Sequence, residues 1–153
     1  MAKKIISQIE FEIEQIDQLF TSYDELLERA RQGPPDLVEL TALASVLHSF
    51  YNRLENIFLA IAKRIDVHVP SGPQSHRYLL TQMTESTTQR GPVLTTVSAH
   101  QLAEYLSFRH FYRHTYSFML DWHELGKLVT PLAEVWKQAK GELQLFLESL
   151  SSD

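Results

Sequence analysis

The sequence predicts an all-α protein, an up-and-down bundle of about five helices, and three observations carry that expectation. Apolar residues recur at alternating steps of three and four along most of the chain. Glycine is sparse, at five in 153 residues, and the good helix formers Leu, Glu, Gln and Ala recur throughout. A chain of this length with 44% hydrophobic residues can bury one core and is short for two, so a single domain over 1–153 is expected.

The elements follow in order. Ile9, Ile13, Ile16, Phe20, Tyr23 and Leu27 share one face of a helix over 3–31. "GPPD" stops it: Gly33 suits a helix C-terminus, and Pro34 and Pro35 are tolerated only in the first turn of the next helix. From 36 to 65 a second stripe runs through Leu40, Leu43, Leu47, Phe50, Leu54, Ile57, Ile61 and Ile65, and two long helices joined by so short a turn make an antiparallel hairpin. "HVPSGP" ends the second helix, and a shorter one over 75–85 carries Tyr78, Leu79 and Met83. "TESTTQRGPVLTTVS" has no helical signal and reads as a loop over 84–97 in which no residue has an assignable role. Ser98 is expected to cap a fourth helix over 99–120, and Asp121 to cap a last segment carrying Leu125, Leu128, Leu132, Val135, Trp136, Leu143, Phe146 and Leu150, kinked or restarted at Pro131.

Composition removes several function classes. The formal charge of −5 gives no global attraction for nucleic acid, so any such contact must be local. With no cysteine, disulfides, thiolate metal sites and a cysteine nucleophile are excluded. The first residues meet a carboxylate before a signal sequence could develop, and no run approaches the roughly 18 apolar residues of a membrane span. The expectation is a soluble cytoplasmic protein without a membrane partner. Histidine is unevenly placed, with five of seven between His76 and His123.

That half of the chain holds "LSFRHFYRHTYSFMLDW", where arginines and histidines interrupt an aromatic run. With Arg109 at zero on a straight helix, Arg113 falls at about 40°, Ser117 at about 80°, His110 at about 100° and His114 at about 140°. These residues form one polar arc, with Phe108, Phe111, Tyr112, Phe118 and Met119 covering the other side. Leu102, Leu106 and Leu120 box the arc in lengthwise, so this face is expected to line a cleft or a subunit seam. Such residues on a helix are most often solvated or ion-paired, and that reading stands beside the anion site the arc would make. His110 and His114, four apart, also have the spacing of zinc helices. The intervening "FYR" supplies no carboxylate and nothing selects His123 or Glu124 as a third ligand, so no metal and no cofactor are expected.

"RHFYRHTY" fits the R-x(4)-H-x-Y signature through Arg109, His114 and Tyr116. With "ALASVLHSFYNRLENIFLAIAKRID" and "LAEVWKQAKGELQLFLESL" around it, the chain resembles the HepT toxins of the HEPN superfamily over most of its length. The resemblance implies a metal-independent endoribonuclease that acts as a homodimer, with the Arg and His of two protomers facing across the seam. It further implies RNA as substrate and an MNT-type nucleotidyltransferase antitoxin as partner, which modifies the tyrosine, here Tyr116, with AMP.

The chemistry suits the residue types. Attack by the RNA 2′-hydroxyl needs a group that exchanges protons near neutral pH, a task for the imidazole of His114. The extra negative charge of the pentacoordinate phosphorus needs a permanent planar donor, a task for Arg109. By helix angle alone, Arg113 and His110 would hold flanking phosphates. AMP on Tyr116 would set a phosphate anion beside Arg109 and His114 and block the cleft. Asn52, Arg53, Glu55 and Asn56 interrupt the second stripe; Glu55 can orient Arg109 across the bundle, although a surface role is the default. The alternative is a non-catalytic HEPN module that binds RNA, a nucleotide or a nucleotidyltransferase.

Overall fold

A computed structural model describes residues 2–114 and 120–151, and among them the fold is all-α. Ala2–Ser22 (α1) and Asp24–Gln32 (α2) occupy the span expected to be one helix. The backbone at Tyr23 leaves the helical region (φ −110°, ψ 18°), although the bonds Tyr23 N to Leu19 O and Leu27 N to Tyr23 O carry the ladder across. The kink shifts the buried face: Ile9, Ile13 and Ile16 are buried before it, but Leu26 and Ala30 after it, while Tyr23 is exposed. The expected stripe through Tyr23 is corrected accordingly.

Neither proline enters the next helix. Asp36 caps Leu37–Ile61 (α3) in a full capping box, accepting from the Glu39 amide at 2.8 Å while the Glu39 carboxylate accepts from the Asp36 amide at 3.0 Å. Glu12 of α1 accepts from Arg53 at 3.0 Å and Asn56 at 3.1 Å, and Arg29 of α2 pairs with Glu39, so α3 runs antiparallel to both. A buried Phe50 of α3 has Phe20 of α1 edge-on to it, together with Tyr105 and Trp136 from later helices, at 5.5–6.0 Å between ring centres. Because α3 is covered on several sides, Val46, Tyr51 and Phe58 are buried as well as the expected stripe.

At its end α3 widens into a π turn, Ala62–Asp66, closed by Val67 in the left-handed region (φ 52°) with its amide on Ala62 O. A β-branched residue there is a strained choice. Ser75–Gln82 (α4) follows, and then the segment that carried no helical signal. It is ordered by Arg90, whose guanidinium grips Asp66 at 2.8 and 2.7 Å and donates to the carbonyls of Gln82, Glu85 and Gly91. A buried arginine is therefore the peg of a loop in which the sequence assigned none.

The next helix, Thr96–Arg113 (α5), starts earlier than expected because Thr95 rather than Ser98 is its cap, accepting from the Ser98 amide. Glu142 braces that cap, accepting from the Thr95 amide and hydroxyl and the Ser98 hydroxyl. Burial pushes the Glu142 carboxyl up, but hydrogen bonds from Ser98, Gln138 and Thr95 outweigh it and hold it below the usual range. The helix ends at Arg113, with His114 as its C-cap and Leu120 non-helical, so it does not reach 120 as one described helix. Asp121 caps Trp122–Val129 (α6) as expected, and the chain restarts after Pro131 as Leu132–Ser151 (α7). Among the described residues no helix is long and apolar enough to cross a membrane.

Candidate functional site: a basic groove floored by a buried ion pair

Leu102, Leu106 and Arg109 lie along one line of α5, and all three are buried. The arc expected to line a cleft is therefore split. Its leucines belong to the core, and Arg109 continues their line inward instead of opening with Arg113 and His110, which are exposed. Phe111, expected to pack inward, is half exposed, while Phe108 is buried.

A buried guanidinium needs a partner, because an unpaired charge in the interior is costly. Glu55 of α3 supplies it end-on: Arg109 Nη1 donates to Oε1 at 2.9 Å and Nη2 to Oε2 at 3.1 Å. This two-point geometry suits arginine in a way lysine cannot reproduce. Glu55 is 6% exposed and Arg109 3%, so the surface default for Glu55 is corrected and its orienting role is the one observed. The guanidinium also lies over the Tyr51 ring, 5.0 Å from its centre. Burial pushes the Tyr51 phenol up, and the Glu55 charge adds to this against Arg109 and Arg77.

Asn52, one turn before Asn56, extends the network. Its Oδ1 accepts from Arg109 Nη1 at 3.0 Å, which aims its amide nitrogen at His48 Nε2, 3.0 Å away. His48 then accepts at Nε2 and is neutral, carrying its proton on Nδ1, a buried atom without a partner among the described residues. Burial, followed by the charges of Arg113 and Arg109, lowers its pKa. Tyr112 packs against its ring at 5.0 Å.

From the other side comes α4. Arg77 Nη2 donates to Ser107 Oγ at 3.0 Å and ties α4 to α5. His76, one residue earlier, sets Nδ1 at 3.0 Å from both Glu55 oxygens and 3.1 Å from Arg109 Nη2. Its side chain is 51% exposed, whereas that of Glu55 is 8% exposed. His76, Arg77, Ser107, Arg109, His110 and Arg113 thus line one groove of about 280 Å³ between α4 and α5. His114 sits one residue beyond Arg113, its ring edge-on to His110 with centres 4.8 Å apart.

Of the residues singled out from sequence, the structure brings Arg109, His110 and Arg113 to this groove and attaches His114 through His110. Among the described residues no hydrogen bond joins Arg109 to His114, which stand at the two ends of the arc, about 140° apart around the helix. Tyr116 lies outside the described residues. Among the described residues no group of three His, Asp or Glu is placed to hold a metal ion with His110 and His114. Two members were missed. Asn52 appeared only as an interruption of an apolar stripe. His76 follows a Pro/Gly-rich break in a short helix, where the crowding of histidines after residue 76 was the sole hint.

A family model described as HepT-like protein matches residues 42–150, which contain every residue of the groove and of its buried floor. Neither the curated proteins nor the solved structures gave a match to this chain.

Proposed function

The chain belongs to the HepT-like family of the HEPN superfamily, and from that premise we propose that it is a metal-independent endoribonuclease, the toxin of a pair whose antitoxin is an MNT-type nucleotidyltransferase. Residues 1–153 act as one HEPN domain, and two copies form the active homodimer. Arg109 stabilises the charge on phosphorus, His114 exchanges protons with the RNA, and Arg113 and His110 hold flanking phosphates. AMP on Tyr116 switches the enzyme off. One observation carries this reading: three arginines and two histidines line a single groove of a chain whose net charge is −5. Such a local cluster is the electrostatic footprint of a phosphodiester on an otherwise acidic protein. Within one protomer Arg109 and His114 do not meet, and the dimer supplies that convergence.

The test is RNA cleavage by purified protein, free of its partner, in excess chelator. Arg109→Ala would strand buried Glu55, so Arg109→Lys is the better companion to His114→Ala. Chelator-resistant cleavage should fall about 100-fold or more in both variants, the usual scale for a lost acid–base or electrostatic group. Coexpression with the nucleotidyltransferase should add AMP mass that Tyr116→Phe removes.

A second reading rests on the burial of Arg109. With both terminal nitrogens engaged by Glu55 and Asn52, it can serve as a structural pin in a non-catalytic module that binds RNA, a nucleotide or the nucleotidyltransferase through Arg77, His110 and Arg113. Absence of cleavage by unmodified wild-type protein that still binds RNA would select it.

A further inference from the structure

Glu55 serves two residues at once. Its oxygens accept from Arg109, and the same two oxygens lie 3.0 Å from His76 Nδ1. A bare Nδ1 would accept from Arg109 Nη2, 3.1 Å away, but would aim its lone pair at two anionic oxygens at 3.0 Å, whereas a protonated one donates to both. The carboxylate thereby assigns the tautomer with the proton on Nδ1. Nε2 is then the basic atom; it makes no hydrogen bond among the described residues, and the half-exposed ring borders the groove. A carboxylate that orients an imidazole and supports the positive charge it acquires is the arrangement that makes histidine an effective proton acceptor.

We infer that His76, oriented by Glu55, is a second catalytic histidine, the base that takes the 2′-hydroxyl proton of RNA, with His114 as the acid. This rests on the ribonuclease reading above. In the step, His76 Nε2 accepts the proton, the 2′-oxygen bonds to phosphorus, and the bond from phosphorus to the 5′-oxygen breaks. Protonated His114 donates a proton to that leaving oxygen. The products are a 2′,3′-cyclic phosphate and a 5′-hydroxyl, and the histidines return to their starting states through water. Arg109, tied to the same carboxylate, meets the charge that builds on phosphorus. His76 faces Glu55 from α3 and Arg109, His110 and Arg113 from α5, with Arg77 beside it on α4. The single buried anion offsets the cations around the base.

The decisive variant is His76→Asn, whose side-chain amide can still donate to Glu55 but cannot carry a proton. Cleavage should fall about 100-fold or more, while affinity for a 2′-O-methyl analogue of the same RNA and the melting temperature stay at wild-type values. If His76→Asn cleaves at the wild-type rate while His114→Ala does not, the inference fails and the ribonuclease reading stands. If Asn lowers affinity and cleavage together, His76 binds and does not catalyse, which also overturns the inference. If wild-type protein cleaves nothing, both fall. A check independent of cleavage is the ¹⁵N spectrum of the imidazole: neutral His76 should carry its proton on Nδ1, and the opposite tautomer would refute the assignment.

Discussion

Arg90 and Arg109 are both buried arginines clamped by a carboxylate, yet they do different work. Arg90 uses all five of its donors, two on Asp66 and three on backbone carbonyls that hold the 84–95 segment. Nothing is left over, and the carbonyls cannot turn away without unfolding the loop. Arg109 instead meets only side chains, Glu55 and Asn52 as acceptors and His76 Nδ1 at 3.1 Å from Nη2, lies on the face of Tyr51, and leaves Nε without an acceptor among the described residues. Its partners can rotate, two histidines adjoin its network, and a groove opens beside it. A closed set of bonds marks a lock, and an incomplete set at the edge of a cavity marks a place where something else can bind.

The contrast can be broken by substitution. The largest effect should come from Arg90→Ala, which strands buried Asp66 and three carbonyls; a loss of about 3–5 kcal/mol is the scale for breaking such a pair, read by thermal melting. An unchanged melting temperature would show that the lock is not one. Arg109→Ala should cost less, about 3 kcal/mol at the lower end of that range, because His76 remains beside Glu55. Denaturant unfolding of both variants should rank them in that order.

Acidity should separate the two regions next. His48 is coupled to Arg109 through Asn52, and its folded pKa lies below the ordinary 6.5. As pH falls below about 6.5 the unfolded chain takes up this proton first, so stability declines on acidification. His48→Gln should flatten that part of the profile, whereas Arg90→Ala should lower the whole curve without changing its slope there. The smallest effect belongs to Tyr51→Phe. The hydroxyl is buried without a partner among the described residues, while the ring under Arg109 is retained. Its removal should shift stability by less than about 1 kcal/mol, towards stabilisation, and a clear loss in melting temperature would reveal a bond to the hydroxyl.

The same pair of arginines shows what the sequence could disclose. Periodicity located the helices, since burying a helix face leaves a mark at steps of three and four, and "RHFYRHTY" singled out Arg109. It misjudged the orientation. Helix angles place residues relative to one another but do not say which side faces the core, and Leu102 and Leu106, taken as the walls of a cleft, were the evidence that Arg109 points inward. Glu55 reads from sequence as a surface carboxylate, because a carboxylate is buried only when a partner arrives from another helix, and that meeting is tertiary. Arg90 was invisible for the same reason: its five acceptors come from Asp66, the last residue of α4 and a folded loop, with no local pattern. The break at Tyr23 left the backbone ladder and the spacing intact and so changed nothing that periodicity measures.

The π turn at Ala62–Asp66 sets where Asp66 stands relative to Arg90. A turn of this kind holds an additional residue compared with an α-helical one, so the distance along the chain from the core of α3 to Asp66 is a matter of counting as well as chemistry. Deleting a single residue there would let the turn return to ordinary α winding with Asp66 near its present angle, whereas inserting one, with no further widening to absorb it, would swing Asp66 by about 100° around the helix axis, off Arg90. The loop leading into α5 is thus indexed to the length of α3, and an insertion between Ile61 and Val67 would unseat it even with every side chain of the lock preserved.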